Sequence, residues 1–149
     1  MMQRDRERTV KYHLFRYAEH KKEIAEYEED ILYGSKAIDI SGVHGTGISD
    51  STARKGMKLA EMPEDMVINS KWIEAIDCGL RELLKMDKGN DRGYLYICKH
   101  MYGIPNKRIQ QGTVRIAIEC SLSRATVYSK LQTIMSVMIF HATSKGLLK

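Results

Sequence analysis

Between Thr113 and Leu131 the chain reads TVRIAIECSLSRATVYSKL, a run in which cationic and hydroxyl side chains are set between apolar residues at helical spacing. Val114, Ile116, Ala117 and Cys120 supply one apolar stripe, Leu122 falls at a break, and Val127 and Leu131 lie one turn apart on a second stripe. Two short helices joined by a tight turn are the predicted structure. Ala117 is the small residue that lets the second helix cross close over the first, where a larger side chain would hold it off. Ser123 stands where its hydroxyl can accept from an orphan backbone N–H near Ala125 or Thr126 and so start the second helix. Arg124, Ala125, Tyr128, Ser129 and Lys130 then fall off the buried stripe. A guanidinium, an ammonium and hydroxyls on one exposed helix face are the groups that hydrogen-bond base edges and phosphate oxygens in a DNA major groove. The expected contact set is therefore Ser123 to Lys130, with Thr126 in the same turn, and with Lys107, Arg108 and Arg115 placed on phosphates.

Charge distribution is a separate line pointing the same way. From Arg92 to the end the chain carries nine Lys or Arg against a single acid, Glu119, a net charge of +8. Residues 1 to 91 carry fifteen bases and eighteen acids, a net charge of −3. The overall charge of +5 thus conceals a polarised molecule, which a phosphate-binding surface needs and a helical hairpin that serves only packing does not.

The elements that must position this segment are also helical. Residues from Arg4 to Leu32 keep apolar positions Val10, Leu14, Tyr17, Ile24 and Ile31 at spacings of three, four or seven, as one long amphipathic helix would. Lys21 and Glu28 interrupt the seam, so packing within the chain is expected rather than a coiled coil. Residues 33–50, with four glycines and no helical period, read as a loop. A helix is expected over Thr52 to Met62, capped by Asp50 or Ser51, before Pro63 ends it or begins the next. From Glu64 to Lys85, residues Trp72, Ile73, Ile76, Leu80, Leu83 and Leu84 give a broad apolar face suited to the N-terminal helix. DKGNDRG closes that element, and Leu95, Ile97, Cys98 and Met101 form a short support helix ending near Gly103 and Pro105. Residues 132–148 are apolar around Ile134 to Phe140 and either pack on the support helix or make a homodimer contact. The expected fold class is all-α, with a long N-terminal helix (1–32) packed on a central helical region (51–88) across the loop 33–50, and a DNA-binding domain at 89–149.

Composition narrows the function classes. With 149 residues and 43% hydrophobic content the chain can bury one moderate core or two small ones. It has no apolar run of about 18 residues and begins MMQRDRERTVKYH, charged where a signal peptide turns apolar, so a cytoplasmic protein with no membrane partner is expected. Cys78, Cys98 and Cys120 are odd in number and widely spaced, which fits neither a disulfide framework nor a zinc finger. Cys98 and His100 could share a metal, but no second close ligand pair completes a tetrahedral site, so no metal and no cofactor are expected. Gly42 and Gly47 have the spacing of a phosphate-binding loop, yet Ile48 stands where its lysine must be. Histidines 13, 20, 44, 100 and 141 are scattered, and no carboxylate pair stands apart from solvated helix faces. No enzymatic activity is expected.

Four blocks carry a family resemblance that spans nearly the whole chain. YAEHKKEIAEYEEDILYGS, GISDSTARKGMKLAE, WIEAIDCGLREL and SLSRATVYSKLQTIM together resemble the RinA/ArpU-like regulators of bacteriophage late genes, and the last block resembles region 4 of sigma factors. Ser51 replaces a common proline, Ser121 replaces the turn glycine, and Lys130 stands where many relatives have an aliphatic residue. The resemblance implies a sigma region-4-like helix-turn-helix that binds double-stranded promoter DNA of phage or prophage and acts with host RNA polymerase. Two rival readings are a phage small terminase subunit, for which light scattering would show eight or more protomers, and a module that binds an acidic protein with little DNA affinity.

Overall fold

The structure, a computed structural model, describes residues 3–34, 62–89 and 93–148, and every regular element among them is helical. In chain order these are α1 (Gln3–Phe15), α2 (Tyr17–Glu29) with a π-turn at Asp30–Gly34, α3 (Glu64–Met86), α4 (Tyr94–Tyr102), a 3-10 turn (Lys107–Ile109), α5 (Thr113–Cys120) and α6 (Arg124–Ser144). The expected N-terminal helix is therefore two segments broken at Arg16, whose backbone N–H still donates to Tyr12 O at 3.2 Å. Of the loop expected at 33–50, Tyr33 and Gly34 instead close the π-turn and the rest lies outside the described residues, as does the helix expected over Thr52 to Met62 except Met62 itself, which is not helical. No helix among the described residues is long and apolar enough to cross a membrane.

The chain divides into two compact units, residues 19–70 and a larger one joining 1–18 to 71–149. In the larger unit α6 is the central element, approached by the backbones of α1, α4 and α5. Its buried residues Val127, Lys130, Ile134, Met135, Met138, Ile139 and Ala142 span about half the helix circumference, so it accepts neighbours on more than one side. The N-terminal segment therefore meets α6 as well as the central helix on which it was expected to pack. Val10 and Leu14 of α1 are fully buried, and the α1 backbone runs close to that of α6. Side-chain contacts join α1 and the start of α2 to α3. The His13 ring stacks on Trp72 with centroids 4.1 Å apart and planes 10° apart, and the Tyr17 phenol donates to Asp77 Oδ1 at 2.5 Å. Burial and that bond push the Tyr17 phenol well above its ordinary range. On α3, Gly79 lies so close to α6 that a Cβ would meet the Met138 thioether.

Local chemistry fixes the helix ends. Asp87, in the turn after α3, accepts from the backbone N–H groups of Tyr94 (2.9 Å) and Leu95 (3.1 Å), satisfying orphan donors at the start of α4. Helices α4, α5 and α6 close alike, each by a backbone N–H reaching five residues back, past a residue of positive φ. The bonds run from Ile104 to Lys99, Leu122 to Ala117 and Leu147 to Ala142, all at 2.9 Å. Glycine holds the positive-φ position at Gly103 and Gly146, but at the end of α5 it is Ser121, at φ 57°. A side chain in that region costs about 1–2 kcal/mol, offset here by the bonds that close the turn.

Candidate nucleic-acid interface

Helices α5 and α6 are two helices joined by a tight turn at Ser121 to Ser123, within the stretch where such a pair was expected. The Ser123 hydroxyl accepts from the Thr126 N–H at 3.1 Å and lies 2.8 Å from Thr126 Oγ1, so the cap stands at the anticipated position. Ile116 and Ala117 of α5 and Val127 of α6 are buried, which seats the two helices on each other and on α4. Two details differ from the sequence reading. The second helix runs 21 residues without interruption, so the apolar stretch around Ile134 to Phe140 continues the same rod instead of forming a separate element. Val114 is 53% exposed and Ile118 is 72% exposed, so the buried face of α5 is narrower than the apolar count implied.

Ser123, Arg124, Ala125 and Ser129 are exposed, Tyr128 is 47% exposed and Thr126 is intermediate. Positions 124, 125, 128 and 129 recur at intervals that keep them on one side of the helix over its first two turns. Lys130 does not join them. It is buried, and its Nζ lies 4.2 Å from the ring centroid of Tyr94 on α4. The reason is its spacing: three residues after Val127 and four before Ile134, it falls on the stripe that faces α4, where a cation over an aromatic face recovers part of the desolvation cost. Lys130 is thus withdrawn from the expected contact set. Lys130→Met, which keeps the length and drops the charge, is expected to leave duplex affinity and its salt slope unchanged within about twofold. A salt slope lowered by about one in a binding titration would restore Lys130 as a phosphate contact.

The cationic residues outside α6 are held differently from one another. Arg115 donates from Nε to Glu119 Oε1 at 3.3 Å, one turn along α5, so part of its charge is matched on the protein. Glu119 also accepts from the Tyr96 phenol of α4. The Tyr96 bond, followed by the one from Arg115, holds the Glu119 carboxyl below its ordinary range, and the same bond raises the Tyr96 phenol. Sequence reasoning singled out Glu119 only as the lone acid of a basic region. The four-residue interval to Arg115 is the signal that would have paired them. Lys107 and Arg108 stand exposed on the 3-10 turn, which the Asn106 side chain caps by accepting from the Arg108 N–H at 2.9 Å. Lys107 Nζ is 5.3 Å from the Phe15 ring centroid, at the end of α1.

Tyr128 joins the two helices of the motif. Its phenolic oxygen lies 3.5 Å from Thr113 Oγ1, on the first residue of α5, and 3.5 Å from Arg124 Nη2, one turn back on α6. Those two neighbours, Thr113 first, draw the phenol below its ordinary range. Thr113 was not among the expected contacts, and a bond between residues 15 apart in sequence leaves no periodic trace. The ring also borders an open cleft of about 470 Å³, whose lining includes Lys11 of α1, Met101 of α4, and Leu131, Gln132 and Met135 of α6.

Among the described residues, no three His, Cys, Asp or Glu side chains converge as metal ligands would. Cys98 is fully buried, which pushes its thiol up to about 12, and the His100 Nδ1 lies 3.1 Å from Ile109 O. A thiol held neutral is a poor partner for a metal. No protein-family model matches the chain, and neither a curated protein nor a solved structure matches it.

Proposed function

We propose that this chain is a sequence-specific double-stranded DNA-binding regulator of transcription that places the first two turns of α6 in a major groove. The observation that carries the reading is the exposed side of those turns. Ser123, Arg124, Ala125, Tyr128 and Ser129 project from a helix anchored behind them by Val127 and Ile134, both fully buried. A rigid rod bearing one guanidinium and several hydroxyls near its capped end has the shape and the donors that base-edge readout requires. The surrounding charge supports it, since the segment from Arg92 onward is +8. The resemblance to RinA/ArpU-like regulators narrows the reading to phage or prophage late genes, with host RNA polymerase as the protein partner. No step of the proposed function uses a cofactor or a catalytic group.

Titration of a labelled duplex at two salt concentrations tests the reading. Affinity is expected to fall about tenfold or more between roughly 50 and 200 mM salt, because cations on phosphates release condensed counterions. Lys107→Ala is expected to weaken all duplexes by the same factor and to flatten the salt slope by about one. Affinity that stays constant as salt rises would instead favour a module for an acidic protein. Recovery of bound fragments from a parent phage genome would identify the operator.

A further inference from the structure

We infer that Tyr128 is a positioning residue for Arg124, its hydroxyl holding the guanidinium in the direction from which it reads a base, while Thr113 steadies that hydroxyl from the other helix. The inference rests on the duplex-binding reading above and assigns the residue that sets its specificity.

Arg124 is the first residue of α6 and is exposed, so its long side chain has many rotamers open to it. A freely swinging guanidinium loses that freedom when it docks, and affinity and discrimination both suffer. Tyr128 follows at the interval that places it on the same side of the helix, and the Arg124 Cζ lies 6.0 Å from its ring centroid. The Arg124 Nη2 donates towards the phenolic oxygen at 3.5 Å, and the Thr113 hydroxyl stands at the same distance from that oxygen. Contacts of this length are at the outer limit of hydrogen bonding, so each is weak alone and contributes little to folding. The oxygen is located from two helices rather than one, which ties the guanidinium to the α5–α6 crossing and not only to its own backbone. Tyr128 also borders the cleft that Leu131 and Met135 line, while keeping 47% of its surface exposed to reach the duplex. The lowered phenol agrees with two donors converging on one oxygen.

The test is a double-mutant cycle on the full chain, using its preferred duplex and a duplex changed at one base pair. Tyr128→Phe keeps the ring and removes the hydroxyl, and is expected to cut discrimination between the two duplexes about 3- to 10-fold. In an Arg124→Ala background the same change is expected to have no further effect. Thr113→Val should reproduce part of the loss and Thr113→Ser should restore it. A readout without DNA comes from ¹³Cζ-tyrosine NMR: the Tyr128 titration should move upward in Arg124→Ala, because a neighbouring donor and positive charge have gone. Additive effects in the cycle, or a Tyr128 titration that ignores Arg124, would overturn the inference. A wild-type protein with no preference among duplexes overturns the DNA reading and this inference together, and the NMR titration tells that case apart by still showing the Arg124–Tyr128 contact.

Discussion

Arg124→Ala is expected to remove about 1–3 kcal/mol of discrimination between the preferred duplex and one altered at a single base pair, a change of about 5- to 150-fold in the affinity ratio. The expectation follows from position. Arg124 begins the helix proposed to enter the groove, is exposed, and is the guanidinium of the exposed face formed by Ser123, Ala125, Tyr128 and Ser129. A bidentate guanidinium is the commonest way for a protein to recognise guanine, and its loss relaxes the choice at one base pair. Folding should be untouched, since an exposed side chain at a helix start contributes within about 0.5 kcal/mol. The measurement is a competition titration of the two duplexes, with a thermal melt of the variant beside it. Discrimination that survives in Arg124→Ala would show that α6 does not dock as proposed.

Trp72→Ala is expected to have the largest effect on stability, about 3–5 kcal/mol, as truncation of a buried large aromatic does. Trp72 is 3% exposed on α3, and His13 of α1 lies flat against it. Its removal opens a cavity at the place where side chains of the N-terminal helix meet the central one. The melting temperature should fall by on the order of 10 °C. Trp72 is the only tryptophan, so the variant must be followed by far-ultraviolet circular dichroism. Trp72→Phe retains a ring to stack on His13 and should lose markedly less. Equal losses in the two variants would mean that a phenyl ring recovers nothing of the indole's contribution, so neither the retained volume nor stacking on His13 carries it.

Much of the candidate interface was legible before any coordinates. The Ser123 cap, the break at Ser121–Leu122, the small Ala117 and the buried Val127 are local matters of side-chain size, hydrogen bonding and period, which neighbouring residues determine between themselves. The same holds for α3, whose expected span of Glu64 to Lys85 differs by one residue from the observed Glu64–Met86. Lys130 shows where such reasoning stopped. It was placed off the buried stripe with the other polar residues of the helix, although its interval from Val127 and Ile134 puts it on that stripe, and the Tyr94 ring opposite accommodates its charge there. Tyr94 is 36 residues away in sequence, and no local pattern announces it.

The amino-acid order by itself determined the helical class, the site of the turn and the basic character of the last third of the chain, because period, capping and charge are properties of short stretches. Tertiary structure decided that α6 is one 21-residue rod at the centre of the larger unit, that α1 lies on it, and that Glu119 is shared with Tyr96 while Tyr128 is shared with Thr113. Those outcomes depend on which surfaces meet. An amphipathic helix specifies that it must be covered, and shape and volume across the whole core select the helix that covers it.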